Sequence, residues 1–254
     1  MNGTLTGAVA IVTGGASGLG KACVDLLAAR DVRVISVDFS YTERAVATDA
    51  PIVLYPADVS SEGDIQNLIA YVAETYGRLD IIVNCAGICL TQPVYDFTTD
   101  TPHSLSDFAK MLQVNTIGTF NVIRLGVGLM SRNQPNTDGA RGVIINVASS
   151  LGLESGPGVV GYGGSKAAII GMTLGYAREF SPVGIRVATI SPGMMRTPML
   201  KEQYLARATE IALFPRRPGH PDEFAHLVQA IIENPLINGE VIRLDTGSRY
   251  PQGL

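Results

Sequence analysis

The chain has 254 residues, of which 46% are hydrophobic and 17% charged, with a formal net charge of −4. That length and balance excludes a disordered chain and can bury a full core in one domain without disulfides or metal. The acidic balance argues against nucleic acid as a partner, because phosphate binding needs a basic face.

Residues 8–12 form a short apolar run that ends in Thr13-Gly14-Gly15, the pattern of a buried strand entering a turn. Residues 21–29 then carry apolar side chains at helical spacing. A second β-branched run, 32–37, closes on Asp38, and a third, 52–56, is followed by Asp58-Val59. Helical periodicity returns at 65–76 through Ile65, Leu68, Ile69 and Val72. A fourth strand at 81–83 leads into Asn84-Cys85-Ala86-Gly87. The polar stretch 91–106 reads as an excursion before one long helix at 105–130. A fifth strand at 142–147, a helix at 162–180 and a sixth strand at 185–190 follow. Residues 192–219 read as loop-rich. Pro221, Asp222 and Glu223 mark the first turn of a helix, whose apolar face is Phe224, Leu227, Val228 and Ile231. Asn234-Pro235 stops it, and Asn238-Gly239 turns the chain into a last strand at 240–244.

Continuously apolar strands alternating with helices predict a parallel sheet covered on both faces, hence one α/β, Rossmann-like, doubly wound domain over 1–254 with about seven strands. No apolar run approaches 18 residues, so no membrane-spanning segment is expected. Cys23, Cys85 and Cys89 are odd in number and lack a disulfide spacing, which suits a reducing, intracellular compartment. The expected location is cytoplasmic, with the mitochondrial matrix left open if a presequence has been removed. His103, His220 and His226 lack ligand spacing, so no metal site is expected.

Gly14, Gly18 and Gly20 follow a G-x-x-x-G-x-G spacing between the first strand and the first helix. Glycine lets a pyrophosphate approach the backbone, and a helix N-terminus offers it free N–H groups and a positive dipole. Ser17 and Leu19 lie within the same turn. Asp38 stands 20 residues beyond Gly18 at the end of the second strand. A carboxylate there accepts hydrogen bonds from ribose hydroxyls and repels a 2′-phosphate, so NAD is expected over NADP. Asp58 would reach the adenine edge. Asn84, Ala86 and Gly87 would line the nicotinamide side.

Tyr162 and Lys166 are separated by i, i+4 and share one face of a helix. A tyrosine is a poor base at neutral pH, and a cation one turn away favours the phenolate. Ser149, just past the fifth strand, would hold a substrate oxygen beside Tyr162; its neighbour Ser150 is the competing candidate. An alcohol that loses hydride must lose a proton too, and this set supplies a group to take it.

These residues resemble the short-chain dehydrogenase/reductase family: the turn at 13–20, Asn84 to Gly87, Asn115 within Val114-Asn115-Thr116-Ile117-Gly118, Ser149, Tyr162 with Lys166, and Pro192-Gly193. The resemblance implies a tetrad in which Ser149 orients the carbonyl, Tyr162 is the acid/base, Lys166 holds the nicotinamide ribose and tunes the tyrosine, and Asn115 supports a proton-relaying water. Val59, Pro192, Gly193 and Thr197 join the cofactor contacts. Cys85 departs from the family's usual Asn-Asn-Ala-Gly. Within the family, the stretches 103–108, 121–125, 141–146 and 225–245 are similar to the type II 3-hydroxyacyl-CoA dehydrogenases, also described as 17β-hydroxysteroid dehydrogenases, as is the insertion at 91–106. That implies an acyl-CoA or steroid-like small-molecule substrate. Other secondary-alcohol dehydrogenases and a non-catalytic NAD-binding sensor or scaffold remain alternatives. Residues 194–197 and 246–254 depart from that group and weaken the substrate reading. A homotetramer is implied, paired through the helices at 105–130 and 162–180, where Gly171, Gly175 and Ala177 would allow close approach. Residues 192–219 would bind substrate. Arg196, Arg207, Arg216 and Arg217 are candidates for a CoA phosphate, and Met194, Met195, Met199 and Leu200 for an acyl or steroid pocket, against solvated charges and core packing.

Overall fold

A computed structural model describes residues 5–45 and 51–249; residues 250–254 of the C-terminal stretch singled out above lie outside them. The elements run in order β1 (Val9–Thr13), α1 (Gly18–Ala28), β2 (Arg33–Asp38), β3 (Ile52–Pro56), α2 (Glu62–Tyr76) and β4 (Ile81–Asn84). A small hairpin, β5 (Tyr95–Asp96) and β6 (Thr101–Pro102), precedes α3 (Leu105–Met111) and α4 (Thr119–Met130). Then come β7 (Gly142–Val147), α5 (Val160–Phe180), β8 (Ile185–Pro192), α6 (Leu205–Ile211), α7 (Pro221–Glu233) and β9 (Val241–Leu244).

Seven strands form one sheet in the order β3-β2-β1-β4-β7-β8-β9, and every pairing in it is parallel. The central strands are largely apolar and buried because both faces are covered. One face packs on α1 and α7 through Val12, Cys23, Leu27, Phe224 and Val228. The other packs on α2, α4 and α5 through Ile11, Ile65, Ile82, Val122 and Ile144. Burial of each such side chain is worth about 1.5–3 kcal/mol.

The chain winds outward from β1 to β3, then crosses to β4 on the other side. This reversal opens a crevice between the carboxyl ends of β1 and β4, where open α/β sheets bind ligands.

Three expectations change in detail. The helix expected at 105–130 is one helical run whose middle, Leu112–Gly118, is a π-helix. The excursion at 91–106 contains the β5–β6 hairpin. The loop expected at 192–219 contains a 3-10 turn (Glu202–Tyr204) and α6.

Candidate active site

The turn after β1 is shaped by close backbone packing. Gly14 and Gly18 have φ of +67° and +54°, which glycine adopts without strain. A Cβ on Gly14 would lie 2.8 Å from the Ala86 nitrogen, and one on Gly20 would lie 2.1 Å from the Gly14 oxygen. These two glycines therefore seat the turn on the exit of β4 and seat α1 on the turn. Gly18 faces another segment: its Cβ would meet the Thr197 side chain at 3.2 Å. Thr197, beyond β8, thus lies over the first residue of α1. Ser17 caps α1 without any side-chain hydrogen bond to the helix N–H groups, leaving them to a ligand. A glycine-walled cradle at an uncapped helix start fits a dinucleotide pyrophosphate.

The Asp38 carboxylate accepts from Ala16 N at 3.2 Å, Ser40 N at 3.0 Å and Ser40 Oγ at 2.7 Å. It is fixed beside the glycine turn, and among the described residues no Lys or Arg is ion-paired with it. Asp58 is exposed at the end of β3 and accepts from Ser60 N and Oγ, each at 2.8 Å. Val59 turns its side chain into the core, where a Cβ on Gly118 would sit 2.6 Å from its Cγ2. Its carbonyl accepts from Asn121 Nδ2 at 3.0 Å, so only its backbone N–H remains to serve a cofactor.

The Asn84 side chain likewise turns away from the crevice. It is buried and donates to Asn146 Oδ1 of β7 at 2.9 Å. The crevice wall after β4 is instead backbone: Ala86 N donates to Thr13 Oγ1 at 3.1 Å. A Cβ on Gly87 would lie 3.2 Å from Asn115 Oδ1 and 3.3 Å from Lys166 Nζ. The β4 exit therefore rests directly on the chemical end of the site.

At that end β7 delivers Ser149, whose Oγ accepts from Leu151 N at 3.2 Å and caps a short 3-10 turn, Ser150–Gly152. Ser149 is 6% exposed and Ser150 1%, so Ser149 is the more accessible of the pair. Tyr162 and Lys166 lie one turn apart near the start of α5, both buried. Lys166 Nζ donates to Val147 O at 2.8 Å and stands 5.9 Å from the Tyr162 ring centre. Burial pulls its ammonium pKa from 10.5 down to about 8, partly opposed by the nearby thiols Cys85 and Cys89.

Asn115 is fully buried in the π-helical stretch. Its Oδ1 accepts from Ile88 N at 2.8 Å, and its Nδ2 donates to Ile88 O and Ser165 Oγ, both at 2.9 Å. Ser165 Oγ in turn donates to Tyr162 O at 2.7 Å. The Asn115 side chain is therefore a pin joining the β4 exit to α5. Ser165 is a part of the site that the sequence did not announce; nothing in spacing marks a serine whose hydroxyl links two helices.

The segment after β8 divides its candidates. Met195 is buried in the core, Met194 and Leu200 are half-buried, and Met199 is exposed. Arg207 and Arg217 are ion-paired with Glu210 and Glu223, each at 2.7 Å, whereas Arg196 and Arg216 are exposed without an ion pair among the described residues. A cavity of about 220 Å³ lies beneath this segment, lined by Met194, Met195, Pro215, Gly219, Leu244 and Thr246. Gly193 is set by packing: a Cβ there would fall 2.8 Å from Asp245 Cβ.

No helix among the described residues is long and apolar enough to cross a membrane, and no group of three or more His, Cys, Asp or Glu there has the arrangement of a metal site. Residues 8–208 match the short chain dehydrogenase family. The chain is 46% identical over 251 residues to the 3-hydroxyacyl-CoA dehydrogenase type-2 of Drosophila melanogaster, covering 95% of this chain and 97% of that one. It superposes with a TM-score of 0.88 on the crystal structure of 3-hydroxyacyl-CoA dehydrogenase type-2 from Mycobacterium avium, at 34% identity over 97% of this chain and 98% of that one. ElxO with NADP bound is a further neighbour, with a TM-score of 0.82 at 27% identity, covering 95% of this chain and 98% of that chain. With this turn, crevice and match, the chain belongs to the short-chain dehydrogenase family and is an NAD(P)-linked oxidoreductase.

Proposed function

We propose that the protein interconverts L-3-hydroxyacyl-CoA and 3-ketoacyl-CoA, with NAD(H) as the nicotinamide cofactor. The observation that carries the chemistry is the buried Lys166 ammonium one helical turn from Tyr162. Near-full-length likeness to relatives named 3-hydroxyacyl-CoA dehydrogenase type-2 supports the substrate class.

Bound NAD supplies the acceptor for the hydride that leaves C3. Ser149 Oγ, fixed by the Leu151 N–H, donates to the substrate oxygen and holds it toward Tyr162. The Tyr162 hydroxyl, as phenolate, takes the alcohol proton, and Lys166 stabilises that phenolate in a site shielded from water. In reduction the same hydroxyl returns the proton to the ketone oxygen. Gly14, Gly18, Gly20, Ala86, Gly87 and Thr197 wall the cofactor, with Pro192 and Gly193 at the strand end. Asp38 favours NAD, since its carboxylate would stand against a 2′-phosphate.

The segment 192–219 would form the substrate side of the cleft, with Met194 and Leu200 facing an acyl group and Arg196 and Arg216 left for a CoA phosphate. We infer a homotetramer assembled on the helical run 105–130 and α5, whose surfaces expose Ile117, Phe120 and Leu174 beside the open Gly171 and Gly175. Ala177, expected at that contact, packs in the core instead. The three thiols stand free, in keeping with a reducing, cytoplasmic or matrix compartment.

The test is loss of NADH absorbance with acetoacetyl-CoA, with NADPH and a steroid ketone run in parallel. Rapid turnover with NADH alone is expected. Turnover of the steroid ketone without acetoacetyl-CoA would overturn the substrate class, and equal use of NADPH would overturn the role of Asp38.

A further inference from the structure

The turn after β9 has no regular structure of its own, yet three parts of the site end on it. Gly193 N donates to Leu244 O at 2.9 Å, and Gly193 packs on Asp245. The Leu213 and Phe214 N–H groups, at the far end of the segment that follows β8, both donate to Thr246 O, at 3.2 and 3.3 Å. The third tie is ionic. Glu154 lies between Ser149 and Tyr162, at the end of the turn that Ser149 caps, where its N–H donates to Ser150 O at 3.0 Å. Its carboxylate is held by Arg243 Nη1 at 2.7 Å and by Arg249 Nε at 3.4 Å.

Arg243 bridges two acids. It donates Nε to Asp245 Oδ2 at 2.7 Å while holding Glu154, and its Nη2 reaches Ser248 O at 3.2 Å. A planar guanidinium spreads its donors over three nitrogens and serves these three acceptors in fixed directions; a lysine ammonium concentrates its donors on one nitrogen and cannot span them in the same way. Isolated exposed pairs are worth little, but here two arginines and two carboxylates form one network in which the Asp245 side chain is only 6% exposed.

We propose that Arg243, with Glu154 and Asp245, is a positioning set for the dehydrogenase reaction: it clamps the 149–162 segment to the same turn that holds the substrate side of the cleft. Glu154 and Arg243 do not line the cavity beneath residues 192–219, whereas Asp245 does, so the set acts through the segments it ties rather than on the reacting atoms. It fixes where Ser149 and Tyr162 stand relative to the wall beyond β8, so it acts on kcat. The inference rests on the proposed roles of Ser149 and Tyr162, though not on the identity of the ketone.

The variants are Glu154→Gln, Arg243→Lys and the double variant. Glu154 is partly exposed, so E154Q tests the clamp without opening the core. Three readouts are taken: kcat and its pH profile with whichever ketone the wild type reduces, NADH affinity by fluorescence, and amide exchange over 150–160 against α1 as reference. E154Q should lower kcat about tenfold, as a small misplacement of reacting groups does, with NADH affinity within about twofold. Its apparent pKa for activity should move, and exchange over 150–160 should rise with α1 unchanged. R243K should lose at least as much kcat as E154Q, because it also breaks the ties to Asp245 and Ser248, and the double variant should be no worse than R243K alone, because the Glu154–Arg243 tie is already gone. The clamp is overturned if E154Q keeps kcat, pH profile and exchange within about twofold of wild type, or if the losses add, or if NADH affinity and thermal stability fall in step with kcat. A wild type that reduces no ketone would instead sink the proposed function, while the exchange comparison still tests the clamp.

Discussion

Replacing Lys166 with methionine should stop catalysis and make the folded protein more stable near neutral pH. The buried ammonium has its pKa pulled from 10.5 to about 8 by desolvation. At about 1.4 kcal/mol per pH unit, that is a charging cost of about 3 kcal/mol wherever the unfolded lysine is charged. Against it stands the single hydrogen bond from Nζ to Val147 O, worth about 1–2 kcal/mol. Methionine fills much the same volume and carries no charge, so K166M should gain about 1–2 kcal/mol. For a chain of this length that raises Tm by roughly 2–8 °C. The pH dependence gives the reasoning its sign. A depressed pKa means the unfolded state binds the proton more tightly, so this contribution is fully present above about 10.5 and is lost as pH falls through about 8. Wild-type stability should therefore climb between those values and close the gap to K166M, whose own curve lacks that rise. Differential scanning of both apo proteins across that window measures it. A K166M protein that is less stable than wild type by a constant amount at every pH would refute the argument, because it would make the ammonium a net stabiliser of the fold.

Tyr162→Phe removes the proton-transferring hydroxyl and should lower kcat about 10³-fold with NADH affinity unchanged; single-turnover kinetics with a fluorescence titration separate the two, and normal turnover would displace Tyr162 from its role. Asp38→Ala should raise the KM for NADH about tenfold or more and narrow the preference over NADPH, as loss of charged hydrogen bonds to a ribose requires; an unchanged ratio of the two cofactors refutes the reading. Gly20→Ala would put a methyl 2.1 Å from the Gly14 oxygen, so α1 must move off the turn. NADH binding should be lost and Tm lowered, while Gly164→Ala, which meets nothing within 4 Å, should leave both alone.

The elements that periodicity can see were legible in the sequence. The strands at Ile52–Pro56 and Gly142–Val147 fall where the apolar runs end, and the turn at 13–20 falls between a strand and a helix as its glycines require. What was not legible depends on contacts across the fold. The π-helical stretch carries the same apolar periodicity as an α-helix to within a residue. α6 is a short helix of ordinary helix formers with only Ala208 buried, so its pattern was too brief to separate from loop. Val59 and Asn84 were expected at the cofactor because they stand at strand ends. Position does not decide which way a side chain points, and packing against Gly118 and pairing with Asn146 turn these two inward. Arg207 and Arg217 pair with glutamates only three and six residues further along the chain, so these contacts are local ones.

The two sides of the site are secured by polar ties between segments far apart in sequence. On one side, the wider π turn presents Asn115 to Ile88 and Ser165, 27 and 50 residues away. On the other, Arg243 reaches Glu154 across 89 residues. Neither tie can form in an isolated βαβ unit, because the first joins the β4 exit to α5 beyond β7 and the second joins the turn after β7 to β9, across β8. The cofactor cradle is more local: Gly14, Gly18 and Gly20 sit within one turn, and only the β4 exit and Thr197 come from elsewhere. Dinucleotide binding and proton transfer therefore depend on different orders of contact. Perturbing β9 or the turn after it should reach the chemistry around Ser149 and Tyr162 before it reaches the glycine turn, since the hydrogen bonds and ion pairs of β9 run to β8, Gly193 and Glu154 and, among the described residues, none runs to residues 13–20.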